Sequence, residues 1–168
     1  KQLENIIKKV LEDKARFERE LRIKEQQEAL KTKSFKSLKG QLPWPAQGRI
    51  ITKFGRQWNP KLKTTTENPG IDIKGKPGSA VKSVLGGVVT TITYIRGYGT
   101  TIIIDHGGGF YTVYSHVTNI QTTVDSELRN GDVIAYMGDS GSINGSKLHF
   151  EIWGKGQKLD PEKWLIKK

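Results

Sequence analysis

All nineteen glycines and all six prolines of this 168-residue chain lie from Gly40 onward. Residues 1–38 hold neither, and they are dense in Lys, Glu, Arg, Gln and Leu, which are strong helix formers. A stretch of that composition has no turn residues with which to fold back, so it predicts one continuous helix. Everything after it has the opposite character, with turn residues every few positions. The chain therefore divides into a helical part, residues 1–39, a Pro/Trp joint, 40–48, and a second domain, 49–168.

Leu3, Val10 and Phe17 recur every seven residues, and Ile7 and Leu21 take the complementary heptad position. That periodicity makes the helix amphipathic and coiled-coil-like. Lys14, Lys24 and Glu28 interrupt the apolar seam. The helix is either the end of a coiled coil or a solvent-facing connector, and the pattern admits both. Pro43 and Pro45 cannot continue it, and Trp44 between them is placed to pin the joint to the domain that follows.

From Gly48 to the end the pattern is mainly β. Ala80–Val84, Gly87–Ile95, Thr100–Asp105, Phe110–Ser115, Val133–Met137 and Leu148–Trp153 read as strands. Gly86-Gly87, His106–Gly109 and Asn130–Asp132 are turn signals between them. Short strands joined by tight turns predict an antiparallel sheet. Pro161 opens a short closing helix. The loop Gly141–Ser146 is expected to be flexible, and it leads straight into Leu148–Trp153.

Composition excludes several classes of function. No run of 18 apolar residues exists, so no helix is expected to span a membrane. Residue 1 falls inside a helical pattern with no export signal before it, as in a piece cut from a longer protein. The absence of cysteine removes disulfides and thiolate metal sites. A net charge of +11 asks for an anionic partner. The basic residues are spread along the chain and no nucleic-acid-binding motif accompanies them, so nucleic acid is not that partner.

Chemistry concentrates in three places. Asp72 lies between Ile71 and Ile73, His149 between Leu148 and Phe150, and His116 follows Tyr114-Ser115. In strands these polar side chains point away from their apolar neighbours. A half-buried Asp is rare without a partner, so Asp72 and His149 are expected to hydrogen-bond each other. A lone His in such a run is more often a hydrogen-bonded strand residue than a metal ligand.

Together, Asn68-Pro69-Gly70-Ile71-Asp72 and Lys147-Leu148-His149-Phe150-Glu151 resemble the two signature motifs of the LytM/lysostaphin-type zinc endopeptidases of bacterial cell walls. Leu42-Pro43-Trp44-Pro45, Gly97-Tyr98-Gly99, Tyr114-Ser115-His116, Asn130-Gly131-Asp132 and Pro161–Leu165 fit the same family in the same order. The resemblance spans residues from about 42 to 165. It implies a LytM-type antiparallel β domain, with metal-ligand positions at 68, 72 and 149 and proton-transfer positions at 116 and 147. Two of these depart from the family's His. Asn68 offers a neutral amide oxygen, a poor zinc donor. Lys147 is an ammonium rather than an imidazole. The expectation is therefore no enzyme, no metal and no cofactor.

A coiled-coil-like helix joined through Leu-Pro-Trp-Pro to such an incomplete domain is similar to the EnvC-like murein hydrolase activators of Gram-negative bacteria. That resemblance implies a periplasmic protein that binds a cell-wall amidase and displaces its inhibitory helix. It also implies docking to the FtsE–FtsX division complex through the coiled coil, and it leaves peptidoglycan as a further ligand. The expected partner-binding groove comprises Asn68, Asp72, Arg96, Tyr98, His116, Lys147, His149 and Trp153. For Tyr98 and Trp153, ordinary sheet packing is the competing reading. A working zinc endopeptidase and a peptidoglycan-binding scaffold are the rival functions.

Overall fold

The computed structural model describes residues 1–143 and 145–168, without the side chains of residues 29–33. The glycine-free stretch is one helix, α1 (Gln2–Ser37), about 54 Å long at 1.5 Å per residue. Strands follow in the order β1 (Arg49–Thr52), β2 (Gly55–Asn59), β3 (Thr64–Asn68), β4 (Ile71–Lys74), β5 (Ala80–Lys82), β6 (Gly87–Ile95) and β7 (Gly99–Gly107). The rest are β8 (Phe110–Ser115), β9 (Val117–Thr118), β10 (Glu127–Leu128), β11 (Val133–Met137), β12 (Leu148–Gly154) and β13 (Gln157–Leu159). The chain closes on α2 (Pro161–Trp164), with Pro161 in its first turn and Asp160 capping it through the Glu162 amide.

The fold is mainly antiparallel β with a helix in front. The main sheet runs β1-β4-β12-β8-β7-β6-β10, with β13 added to β12. A smaller sheet runs β5-β11-β9, and β2-β3 form a separate two-stranded ribbon. Register sorts the side chains of the main sheet onto two faces. Leu148, Phe150 and Ile152 of β12 are fully buried, and Ile71 and Ile73 of β4 join them in the core. The alternate residues His149, Glu151 and Trp153 point to the other face, beside Ser115, Val113 and Tyr111 of β8. Asp72 of β4 lies directly across from His149.

The joint is pinned as its sequence suggests, with Trp44 Nε1 donating to the Ile166 carbonyl at 2.8 Å. The strand readings hold, apart from Ala80–Val84, which pairs only as far as Lys82. The ribbon β2-β3 had no sequence signal, because neither of its faces is buried and no apolar alternation marks it. The helix is covered at one end only. Phe35 is 2% exposed and stacks on Phe110, with ring centroids 4.2 Å apart. Leu38 packs on the same core. The Gly108 amide donates to the Glu28 carboxylate at 2.9 Å. Leu3, Ile7, Val10, Phe17 and Leu21 stand 47% to 70% exposed. No helix among the described residues is long and apolar enough to cross a membrane.

Candidate functional site

Four charged side chains meet where β4 and β12 pair. His149 donates from Nδ1 to Asp72 Oδ1 and from Nε2 to Glu151 Oε2, both at 2.7 Å. Lys147 Nζ lies 3.4 Å from the other Asp72 oxygen. Glu151 also accepts from Trp153 Nε1 at 2.7 Å. Both partners of His149 are carboxyl groups, and with both of them ionised each ring nitrogen donates, which favours the imidazolium form. Burial alone pulls the His149 pKa down, but the hydrogen bonds and charges of Asp72 and Glu151 outweigh it and raise it. Burial alone lifts Asp72, and His149 and Lys147 bring it below the usual carboxylate value. Glu151 is likewise lifted by burial and lowered further by His149 and Trp153. Two anions and two cations cancel, which is how buried charges become tolerable.

Above this cluster lies an open groove of about 330 Å³. Asn68, Asp72, Tyr98, His116, Lys147 and His149 line it, with Thr66, Glu67 and Pro69 from the base of the ribbon. The Tyr98 ring sits 5.0 Å from the His149 ring, tilted at 44°, an arrangement that favours a cation against an aromatic face. Gly99 and Gly141 hold it there. Both have positive φ, and a Cβ on either would strike the backbone of the other's loop. His116 is a non-glycine residue at φ 63, held by its amide bond to the Tyr98 carbonyl at 2.8 Å. Its Nδ1 faces the Ser140 carbonyl at 2.7 Å and must donate. Burial lowers its pKa, so the ring is neutral near pH 7, with the Nε2 lone pair as its acceptor.

Asn68 folds back on its own turn, its Oδ1 accepting from the Gly70 amide at 3.3 Å. Its Nδ2 is buried and has no partner among the described residues. An unpaired buried donor of this kind costs about 1–3 kcal/mol.

The sequence profile of Peptidase family M23 matches residues 66–161, more than half of the chain. The chain belongs to peptidase family M23. Over 123 residues this M23 chain is 42% identical to outer membrane antigenic lipoprotein B of Haemophilus influenzae, across 73% of this chain and 28% of that protein. Over 127 residues it is 32% identical to murein hydrolase activator EnvC of Escherichia coli, across 76% of this chain and 29% of that protein. The match thus spans less than a third of the length of either relative. A zinc-containing peptidase from Vibrio cholerae shares the fold, with a TM-score of 0.68 at 23% identity, over 75% of this chain and 40% of that one.

Zinc is the metal the M23 fold implies, and the donor set here does not fit it. A ligating imidazole needs a free lone pair, and both nitrogens of His149 are taken up by carboxylates, Nδ1 by Asp72 and Nε2 by Glu151. Both Asp72 oxygens face cations. Asn68 supplies an amide oxygen already used by Gly70. Lys147 places a fixed positive charge beside the spot that a dication would share.

Six of the eight residues expected in the groove line it together. Arg96 does not; it is exposed in the β6–β7 turn, next to Gly97. Trp153 shares the sheet face with His149, but Glu151 separates it from the groove. It lines a neighbouring apolar depression of about 280 Å³ with Ile103, Tyr111 and Val113. Glu151 joins the site without having been expected there from the sequence. Its signal was the two-residue spacing from His149, which puts both on one face of a strand. Asn144, in the loop expected to be flexible, lies outside the described residues.

Proposed function

We propose that this M23 domain is a non-catalytic activator of a zinc-dependent N-acetylmuramoyl-L-alanine amidase, acting in daughter-cell separation in the periplasm of a Gram-negative bacterium. One observation carries the reading: Asp72 and His149, at two of the ligand positions, are paired with Lys147 and Glu151 beneath a groove that stays open. An enzyme of this fold needs that floor free to hold a metal and a water. A binding protein needs only the groove. The name of the EnvC relative supports the same direction.

The partner is the regulatory helix of the amidase. Asn68 Nδ2 awaits an acceptor, and His116 Nε2 awaits a donor. Lys147 holds Asp72 at 3.4 Å, longer than a charge-assisted hydrogen bond, and keeps N–H groups for an acid on the incoming helix. Tyr98 supplies an aromatic anchor at the centre, with Arg96 just outside the groove beside Gly97. In this reading α1 is the part that docks to the FtsE–FtsX complex.

The test is dye release from labelled sacculi by the cognate amidase, with and without this protein. Lys147→Glu and Tyr98→Ala should each abolish stimulation while the circular dichroism spectrum stays that of the wild type. Truncating a central anchor typically costs about 2 kcal/mol, roughly a thirtyfold weaker complex. Lys82→Ala, on the smaller sheet, should change nothing. Groove variants that stimulate like wild type would sink the proposal. Binding to sacculi without stimulation would make peptidoglycan the ligand instead.

A further inference from the structure

The exposed seam of α1 carries a second inference, which does not depend on the groove. With Leu3, Val10 and Phe17 at one core position of the heptad and Ile7, Lys14 and Leu21 at the other, every residue from 3 to 27 has a defined place. The positions flanking the seam hold Glu4, Ile6, Leu11, Asp13, Glu18, Glu20, Glu25 and Gln27. Five are acids and none is a base. Lys8, Lys9, Arg16, Arg19 and Arg22 all fall on the far side of the helix. Apart from Lys14 and Lys24, which sit in the seam itself, the cations of residues 3–27 lie away from it, and five of the six acids flank it.

Flanking charges set partner choice in coiled coils. A second copy of α1 brings acids against acids in either orientation. Run parallel, it sets Asp13 against Glu18 and Glu20 against Glu25, and it buries Lys14 against Lys14. Asp13 reaches sideways to Arg16 at 2.6 Å, but both groups are more than half exposed, and solvent screens such a pair. Self-pairing is thus disfavoured by the same residues that would attract a helix of opposite flanking charge.

The seam also continues an interface that already exists. Phe35 and Leu38 fall at the two core positions of the same heptad, and the β domain covers them. The stripe is fixed at one end and bare at the other, where five large apolar side chains, interrupted by Lys14, stand in solvent, and exposed apolar surface of this kind marks a binding site.

We propose that residues 3–25 of α1 form half of a heterotypic coiled coil, whose other half is a helix with apolar core positions and Lys or Arg at the positions flanking them. The pairing is strong at low salt and weakened by salt, because attraction across the flanks supplies its specificity.

The test uses the whole 168-residue chain and two fluorescent designed helices of four heptads. Both have Ile and Leu at the core positions, one with Lys and one with Glu at every flanking position. Binding is followed by fluorescence anisotropy at low and high salt, and self-association by sedimentation. The Lys-flanked helix should bind at least tenfold more tightly than the Glu-flanked one, and the chain should sediment as a monomer. A variant with Glu4→Lys, Asp13→Lys, Glu18→Lys, Glu20→Lys and Glu25→Lys should reverse the preference without changing the unfolding of the β domain. A stable dimer of the wild-type chain, equal binding of both helices, binding of neither, or an unreversed preference would each overturn the proposal.

Discussion

The charged cluster under the groove and the bare end of α1 depart from a finished fold in opposite ways. At Asp72, Lys147, His149 and Glu151, charges that burial should penalise are paired with one another within the chain. Along Leu3 to Leu21, apolar groups that should be buried are left in solvent. Local polarity therefore does not tell which surface awaits a partner. The cluster balances its own charge and gives the groove a floor with no net charge. The seam is left bare, and its apolar side chains stay in solvent unless a partner covers them.

The sharpest way to break that comparison is to cut both ends of the one stripe. Phe35→Ala should destabilise the protein by about 3–5 kcal/mol, the usual cost of emptying an aromatic core site. Phe17→Ala should stay within about 0.5 kcal/mol in the isolated chain, as exposed substitutions do. Urea unfolding measures both. A large loss at Phe17 would mean that the bare end is covered after all. The next effect is at the cluster. Asp72→Ala leaves the His149 imidazolium and Lys147 without their shared anion, and it should cost about 3 kcal/mol. A loss below about 1 kcal/mol would show that the network is not the closed unit described.

The smallest effect is the pH dependence of stability, and its sign follows from the shifts. The raised pKa of His149 means that its contribution is complete below the ordinary value of 6.5 and is lost as pH rises through the raised one. Asp72 and Glu151 are lowered, so theirs is complete above 3.8 and 4.5 and is lost as pH falls through the lowered values. The cluster should therefore contribute most between about 4.5 and 6.5. Asp72→Ala should flatten the profile on both sides of that window. A wild-type profile that climbs steadily from pH 5 to pH 8 would contradict the assignment.

Much of this was legible in the sequence, and the exceptions share a cause. The absence of glycine and proline before Gly40 marked α1, and alternating runs between Gly, Asn and Asp turns marked the main strands. The Asp72–His149 pair could be foreseen because a strand flanked by isoleucines leaves an aspartate in need of a partner. The ribbon β2-β3 could not, since Thr64-Thr65-Thr66 pairs strands without burying a face. The role of Glu151 was hidden for a related reason. A glutamate beside a histidine motif looks like part of the motif, and only the register of β12 shows it joining His149 to Trp153. Phe35 sits in the heptad register, yet no local signal says that its end of the stripe meets Phe110 and Trp164.

The central claim is that an internal ion network stands where the M23 fold would hold zinc. Nitrogen-detected NMR of the His149 ring at pH 6.5, before and after one equivalent of zinc, tests it most directly. Two protonated ring nitrogens are expected, both hydrogen-bonded and both unmoved by zinc. A ring with one unprotonated nitrogen, or one whose signals shift on adding the metal, would contradict it.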